Sequence, residues 1–176
     1  LDSWTEQLMH MEAEEVKAGR LPWFQSHMWD GSAIALDENL EIAKRLLQLA
    51  VDSRTVLEIE VGAVGGEEDG VVGEINEKLY TSTADAIKTV EALGLGENGR
   101  YITALTFGNV HGAYKPGHVK LRPELLGTIQ EEVAAHYGLD HRPFDLVMHG
   151  GSGSTDEEIA LAVANGVIKI DRKSVV

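Results

Sequence analysis

The stretch Thr106-Phe107-Gly108-Asn109-Val110-His111-Gly112-Ala113-Tyr114-Lys115-Pro116-Gly117 follows the apolar run Tyr101-Ile102-Thr103-Ala104-Leu105 and sets one histidine between Val110 and Gly112. The arrangement returns downstream, where Phe144-Asp145-Leu146-Val147-Met148 leads into His149 and then Gly150-Gly151-Ser152-Gly153-Ser154. Two apolar runs that each lead into His-Gly read as two strands delivering imidazoles to one metal site. Neutral imidazole is the commonest metal ligand, and catalytic zinc takes three protein ligands and keeps one position open. The competing reading of either histidine is a strand-end side chain that bonds only its own loop.

Working outward, helices and strands alternate. Trp4, Leu8 and Met11 recur at helical spacing, which predicts a helix to about residue 18, ended by Gly19. Residues 21–28 read as a short apolar strand running into Trp29-Asp30-Gly31-Ser32. Asp37 is the expected N-cap of a helix whose apolar face is Leu40, Ala43, Leu46, Leu47 and Ala50. Residues 55–61 are the next strand, and 62–74 a glycine-rich acidic loop. Residues 83–93 read as a helix and 101–107 as a strand. Pro123 opens a helix with Leu126, Ile129, Val133 and Tyr137 on one face and Gly138 at its end. Residues 144–148 are a strand, Thr155 to Glu158 a capping box opening a helix, and 167–170 a last strand.

Such alternation implies a parallel sheet, either doubly wound or a (β/α)8 TIM barrel. Polar residues follow the end of every strand: Asp30, Glu60, His111, His149 and Asp171. A doubly wound sheet concentrates its site at one switch point, whereas a barrel collects residues from many strand ends, so the barrel is favoured. A full barrel takes ~250 residues. Five strands in 176 residues are an arc of one, a single domain over residues 1–176 comprising approximately strands three to seven of eight and truncated at both ends.

Composition narrows the chemistry. The net charge of −14 leaves no basic face for nucleic acid or an anionic membrane. There are no cysteines, so a metal must be held by histidine and carboxylate. No apolar run reaches the ~18–20 residues of a membrane span, and the acidic start does not resemble a signal peptide, so a cytoplasmic protein is expected. Glu58 and Glu60 alternate with apolar residues and share one face of their strand, which is costly in a buried sheet unless they are paired or coordinated. A wet face on an edge strand is the alternative. Glu67-Glu68-Asp69, bounded by Gly65, Gly66 and Gly70, suits a lid that carries a carboxylate into a site. The glycine-rich turn after His149 opens a helix whose N-terminal N–H groups suit phosphate, and Lys115 offers a countercharge. A metal, a base and a phosphate site together suit enolisation of a phosphorylated ketone and making or breaking of a carbon–carbon bond.

At this point the segments 57–70 (LEIEVGAVGGEEDG), 106–117 (TFGNVHGAYKPG) and 147–154 (VMHGGSGS), with 26–32 (SHMWDGS), closely resemble the longer-chain branch of the class II, zinc-dependent fructose-1,6-bisphosphate aldolases. The resemblance covers residue 1 to about 170. It implies a (β/α)8 barrel, a homodimer, and a cytoplasmic enzyme of glycolysis and gluconeogenesis. Such an enzyme reversibly cleaves fructose 1,6-bisphosphate to dihydroxyacetone phosphate and glyceraldehyde 3-phosphate. By motif, His111, His149 and Glu60 look like zinc ligands, and Asp30 like the carboxylate lining the metal or its alternate position. Glu68 looks like the lid base that moves the ketone-phosphate proton, while zinc polarises the carbonyl. Gly112, Lys115, Gly150 and Ser152 look like the phosphate-binding set. Backbone of Val110 and Gly112 is implied near a monovalent cation, K+ or Na+. A sister aldolase for tagatose bisphosphate and a non-catalytic metal-binding fragment are the alternatives.

Two departures from the family pattern stand out. The family's first zinc histidine, with the aspartate that protonates the aldehyde oxygen, belongs upstream of Leu1. After the last strand the family's Asn-x-Asp-Thr-Asp-Thr run is replaced by Asp171-Arg172-Lys173-Ser174-Val175-Val176, so Asp171 stands where a substrate-binding asparagine is expected. The expectation is a central fragment that by itself is weakly active or inactive.

Overall fold

The computed structural model describes residues 2–62, 65–68, 71–73, 79–111, 121–151 and 154–171. The alternation read from the sequence appears as α1 (Asp2–Lys17), β1 (Ser26–Trp29), α2 (Leu36–Ser53), β2 (Val56–Val61), β3 (Gly65–Glu68), β4 (Val71–Gly73), α3 (Thr83–Leu93), β5 (Tyr101–Leu105), β6 (Val110–His111), α4 (Pro123–Tyr137), β7 (Leu146–Met148), α5 (Asp156–Ala164) and β8 (Val167–Ile170). Five strands form one sheet in the order β1-β2-β5-β7-β8, and three form another in the order β4-β3-β6. The first is the parallel α/β arrangement expected of part of a (β/α)8 barrel. The chain divides into two compact units, residues 1–60 with 88–102, and residues 61–87 with 103–176.

In the first unit, α2 buries the five residues its periodicity predicts, Leu40, Ala43, Leu46, Leu47 and Ala50. Its start differs from expectation. Ala35 is the N-cap without a side-chain cap bond, and Asp37 sits in the first turn, where its charge suits the helix dipole. The α1 face is also rotated from the Trp4-Leu8-Met11 stripe. Trp4 and Met11 are exposed, and Met9, Glu12 and Ala13 face inward. Glu12 is fully buried because its carboxylate accepts the Phe24 backbone N–H at 2.8 Å and hydrogen-bonds His27 Nε2. That bond also explains why β1 begins at Ser26 rather than residue 21. The Phe24 N–H is spent on Glu12, and the ladder starts where Val56 N donates to Gln25 O at 2.9 Å. From there β1 pairs parallel to β2, with His27 opposite Leu57 and Trp29 opposite Ile59.

In the second unit β7 pairs parallel to β5 through Thr103 and Leu146, and parallel to β8, with a register shift between Leu146 and Val147. The expected start of β7 at Phe144 moves to Leu146 because the buried Gln130 amide captures Phe144. Its Nε2 donates to Phe144 O at 2.9 Å and its Oε1 accepts from Phe144 N at 3.1 Å. Pro123 opens α4, Leu126, Ile129 and Val133 are buried, and Gly138 closes the helix in the left-handed region at φ 66°. The capping box on α5 is present, with Thr155 Oγ1 accepting from Glu158 N at 3.2 Å and Glu158 Oε2 from Thr155 N at 2.8 Å. Residues 62–74, expected as a loop, contain the antiparallel pair β3–β4.

Leu46 is fully buried, so Leu46→Ala should cost about 2–5 kcal/mol. Lys88→Ala removes an exposed 2.9 Å ion pair to Asp37 and should cost under ~1 kcal/mol. Urea midpoints of the two variants check the contrast.

Candidate functional site

Asp30, His149 and Asp171 follow the ends of parallel strands, Glu58 and Glu60 lie within β2, and His111 lies within β6. In the first unit, Glu58 and Glu60 are 1% and 4% exposed on β2. This strand is no wet edge. It pairs with β1 on one side, and on the other Leu57 N donates to Arg100 O at 3.1 Å. Two carboxylates on a flanked, buried strand are costly to desolvate, and both are engaged by other groups in the fold. Asp30, one residue beyond β1, is exposed, and its Oδ1 accepts from Ser32 N at 3.0 Å and Ser32 Oγ at 2.6 Å.

An asparagine that sequence reading passed over lies behind both strand ends. Asn39, 3% exposed on α2, accepts the Trp29 indole N–H at 2.8 Å and donates to the Glu60 carbonyl at 2.8 Å. Its only sequence signal is a weak helix former in an otherwise good helix.

In the second unit, His149 is 5% exposed just past β7. Its Nδ1 lies 3.1 Å from Asp171 Oδ2, just past β8. Asp171 N donates to Met148 O at 3.2 Å, which fixes the carboxylate beside the ring. A histidine held at one nitrogen by a carboxylate is the pattern that orients metal-binding imidazoles. The His149 carbonyl accepts from Asn109 Nδ2 at 3.0 Å, while Asn109 Oδ1 accepts from Phe107 N at 2.9 Å. Asn109, also passed over, therefore ties the chain entering β6 to the end of β7. Gly150 follows at φ 71°, a conformation that favours glycine, and a side chain at Gly151 would press on Ile170 Cγ2 at 3.1 Å.

His111 is not at the end of the main-sheet strand β5 but in the short β6. There it pairs parallel with β3, Gly65 opposite Val110 and Gly66 opposite His111. The same strand β3 ends at Glu68, which faces Val71 of β4. Register thus brings the backbone of the candidate base and of a candidate ligand into one small sheet. The positions Gly112, Lys115 and Ser152 lie outside the described residues. Among the described residues, no three histidine, aspartate or glutamate side chains gather as a metal site. Taken by itself, the buried His149, oriented through Nδ1, is a donor of the kind zinc accepts, and the buried Glu58 and Glu60 carboxylates of the first unit are donors of a kind it also accepts.

The class II fructose-bisphosphate aldolase model matches residues 5–175. The chain belongs to that family. It is 58% identical over 173 residues to the fructose-bisphosphate aldolase of Streptomyces coelicolor, covering 97% of this chain and 50% of that protein. The Mycobacterium tuberculosis fructose-bisphosphate aldolase matches equally, 58% over 173 residues, with 97% and 50% covered. Among solved structures, the fructose-bisphosphate aldolase of Campylobacter jejuni matches with a TM-score of 0.78 at 39% identity, over 96% of this chain and 47% of that one. The chain spans about half the length of the curated relatives it matches.

The junctions flanking the Glu68 segment are tight. Gly62 follows β2 at φ 107°, and a Cβ there would lie 2.3 Å from Thr106 Oγ1 and 2.9 Å from Thr81 Oγ1. Thr81 Oγ1 donates to Val61 O at 2.7 Å and accepts from Thr106 N at 2.8 Å. Residues 79–81 and 106–108 add two backbone bonds of 2.8 Å each, Thr81 N to Thr106 O and Gly108 N to Leu79 O. Both ends of the segment between β2 and α3 are therefore pinned at its base. Gly62→Ala combines the steric clash with an unfavourable φ and should cost about 2 kcal/mol or more, read as a lowered urea midpoint. Thr81→Val, which keeps the shape and removes the bonds, should cost about 1–3 kcal/mol.

Proposed function

We propose that this chain carries the metal- and base-bearing part of a zinc-dependent fructose-bisphosphate aldolase. The reaction is reversible cleavage of fructose 1,6-bisphosphate to dihydroxyacetone phosphate and glyceraldehyde 3-phosphate. The observation that carries this reading is the 58% identity over 173 residues to aldolases of that name. The buried His149 with its ring held by Asp171 supports it chemically. His111, His149 and Glu60 are the proposed zinc ligands, with Asp30 lining the metal. When bound, zinc supplies a Lewis acid that polarises the ketone carbonyl.

The chain's own residues do the rest in this reading. Glu68 takes the proton from the carbon beside the carbonyl in the condensation direction and returns it to that carbon in cleavage. Gly112, Lys115, Gly150 and Ser152 hold phosphate through backbone N–H groups, one hydroxyl and one ammonium. The α5 N-terminus just beyond them favours the same anion. Backbone of Val110 and Gly112 holds a monovalent cation, K+ or Na+. Asp171 has two proposed parts to play, orienting His149 and standing at a substrate-binding position. A cytoplasmic homodimer acting in glycolysis and gluconeogenesis is the setting that fits. Among the described residues, no helix is long and apolar enough to cross a membrane.

The test is an aldol-cleavage assay sensitive to slow turnover, run with fructose 1,6-bisphosphate and separately with tagatose 1,6-bisphosphate. Zinc-dependent triose release, lost on chelation and reduced about 10²–10⁴-fold by Glu68→Gln, is expected. Faster turnover of the tagatose sugar would reassign the substrate. Turnover indifferent to chelation or to Glu68→Gln would sink the mechanism.

A further inference from the structure

We infer that Asn39 is a positioning residue: one buried amide sets the places of the two candidate metal carboxylates in the first unit, Asp30 and Glu60. Trp29 immediately precedes Asp30, and its indole N–H donates to Asn39 Oδ1 at 2.8 Å. Gly31 immediately follows Asp30, and a Cβ at Gly31 would lie 2.0 Å from the same Oδ1. The chain on both sides of Asp30 is thus in contact with the amide. Asn39 Nδ2 donates to the carbonyl of Glu60 at 2.8 Å. One side chain therefore spans the end of β1 and the end of β2 just where each presents its carboxylate.

The chemistry admits almost no substitute. The indole N–H only donates and the peptide carbonyl only accepts, so the bridging group must accept at one end and donate at the other. This also fixes which end of the Asn39 amide is oxygen. Aspartate accepts but cannot donate when ionised. Leucine matches the shape and bonds neither partner. Glutamine adds a methylene in a site where the Gly31 backbone already touches the amide. Asn39 is 3% exposed, so a lost partner leaves a buried polar group on β1 or β2 and gives that strand end a reason to shift. Ladder bonds hold β1 to β2 along their length, Ser26 through Trp29 against Val56 through Ile59, but that register stops short of Asp30 and Glu60. Beyond the last ladder pair Asn39 bridges the two strand ends.

The inference rests on the reading that Asp30 and Glu60 serve the metal. It is tested on the 176-residue chain by Co2+ titration followed through the visible absorption of the bound ion, with folding checked by circular dichroism. Asn39→Asp and Asn39→Leu should remain folded, bind Co2+ about 10–100-fold more weakly, and alter the shape of the absorption band. Trp29→Phe, which removes the indole donor and part of the ring while leaving Asn39 in place, should weaken binding in the same direction, and it decides the matter where the Asn39 variants do not fold. Glu60→Gln and Asp30→Asn are the controls. If they weaken Co2+ binding while folded Asn39 and Trp29 variants leave affinity and band shape unchanged, Asn39 has no positioning role. If the chain takes up no Co2+, or the two controls bind it as the parent does, the metal reading fails and this inference falls with it.

Discussion

Parallel pairing is the constraint on which the rest of this molecule depends. A parallel strand cannot turn back on itself, so each must be followed by a crossover before the next begins. Within the first unit β1 and β2 run in one direction, and within the second β7 runs with β5 and β8, so inside each unit the residues that follow the strands leave from corresponding ends. Helices are confined to the return journeys and strand ends are left to side chains with other duties. Asp30, Glu60 and His149 all stand at such ends, and so does Asp171. Within each unit the topology returns the chain to a strand end more than once, so the polar residues at those ends are spread along the sequence.

Much of this was legible from periodicity and punctuation. The α2 face, the proline and glycine at the two ends of α4 and the Thr155 capping box are local signals, and each produced the element expected of it. What escaped was long-range capture of backbone groups. The starts of β1 and β7 are displaced because Glu12 and Gln130, distant in sequence, bind Phe24 and Phe144. The α1 face was misread for the same reason. Glu12 is buried because its partners, Phe24 N and His27, lie beyond the helix. Periodicity counts apolar residues and has no means of recognising a buried carboxylate.

The site divides along the same line. Strand-end histidines and acids announce themselves by residue type and position. Asn39, Asn109 and Thr81, which hold those strand ends, are small polar residues of ordinary composition, and only their partners reveal their purpose. Pairing of β3 with β6 likewise could not be read from two glycines and a Val-His dipeptide, since neither segment has the length or alternation that marks a strand.

The buried pair of Glu12 and His27 has a consequence for how the chain chooses its pairing. Side chains on a strand alternate in direction, so a slip of one residue in β1 would turn His27 outward. Glu12 would then be left in the interior with Ser26 or Met28 in place of its imidazole partner, an arrangement less favourable than the exposed carboxylate of the unfolded chain. Between Ser26 and Trp29 only two of four residues point inward, which is little apolar area with which to distinguish one alignment from the next. The ionisable pair makes the misaligned state expensive where hydrophobic contrast alone is weak. Glu12 thus acts as a proofreader of alignment, and its contribution is to the uniqueness of the fold more than to its depth.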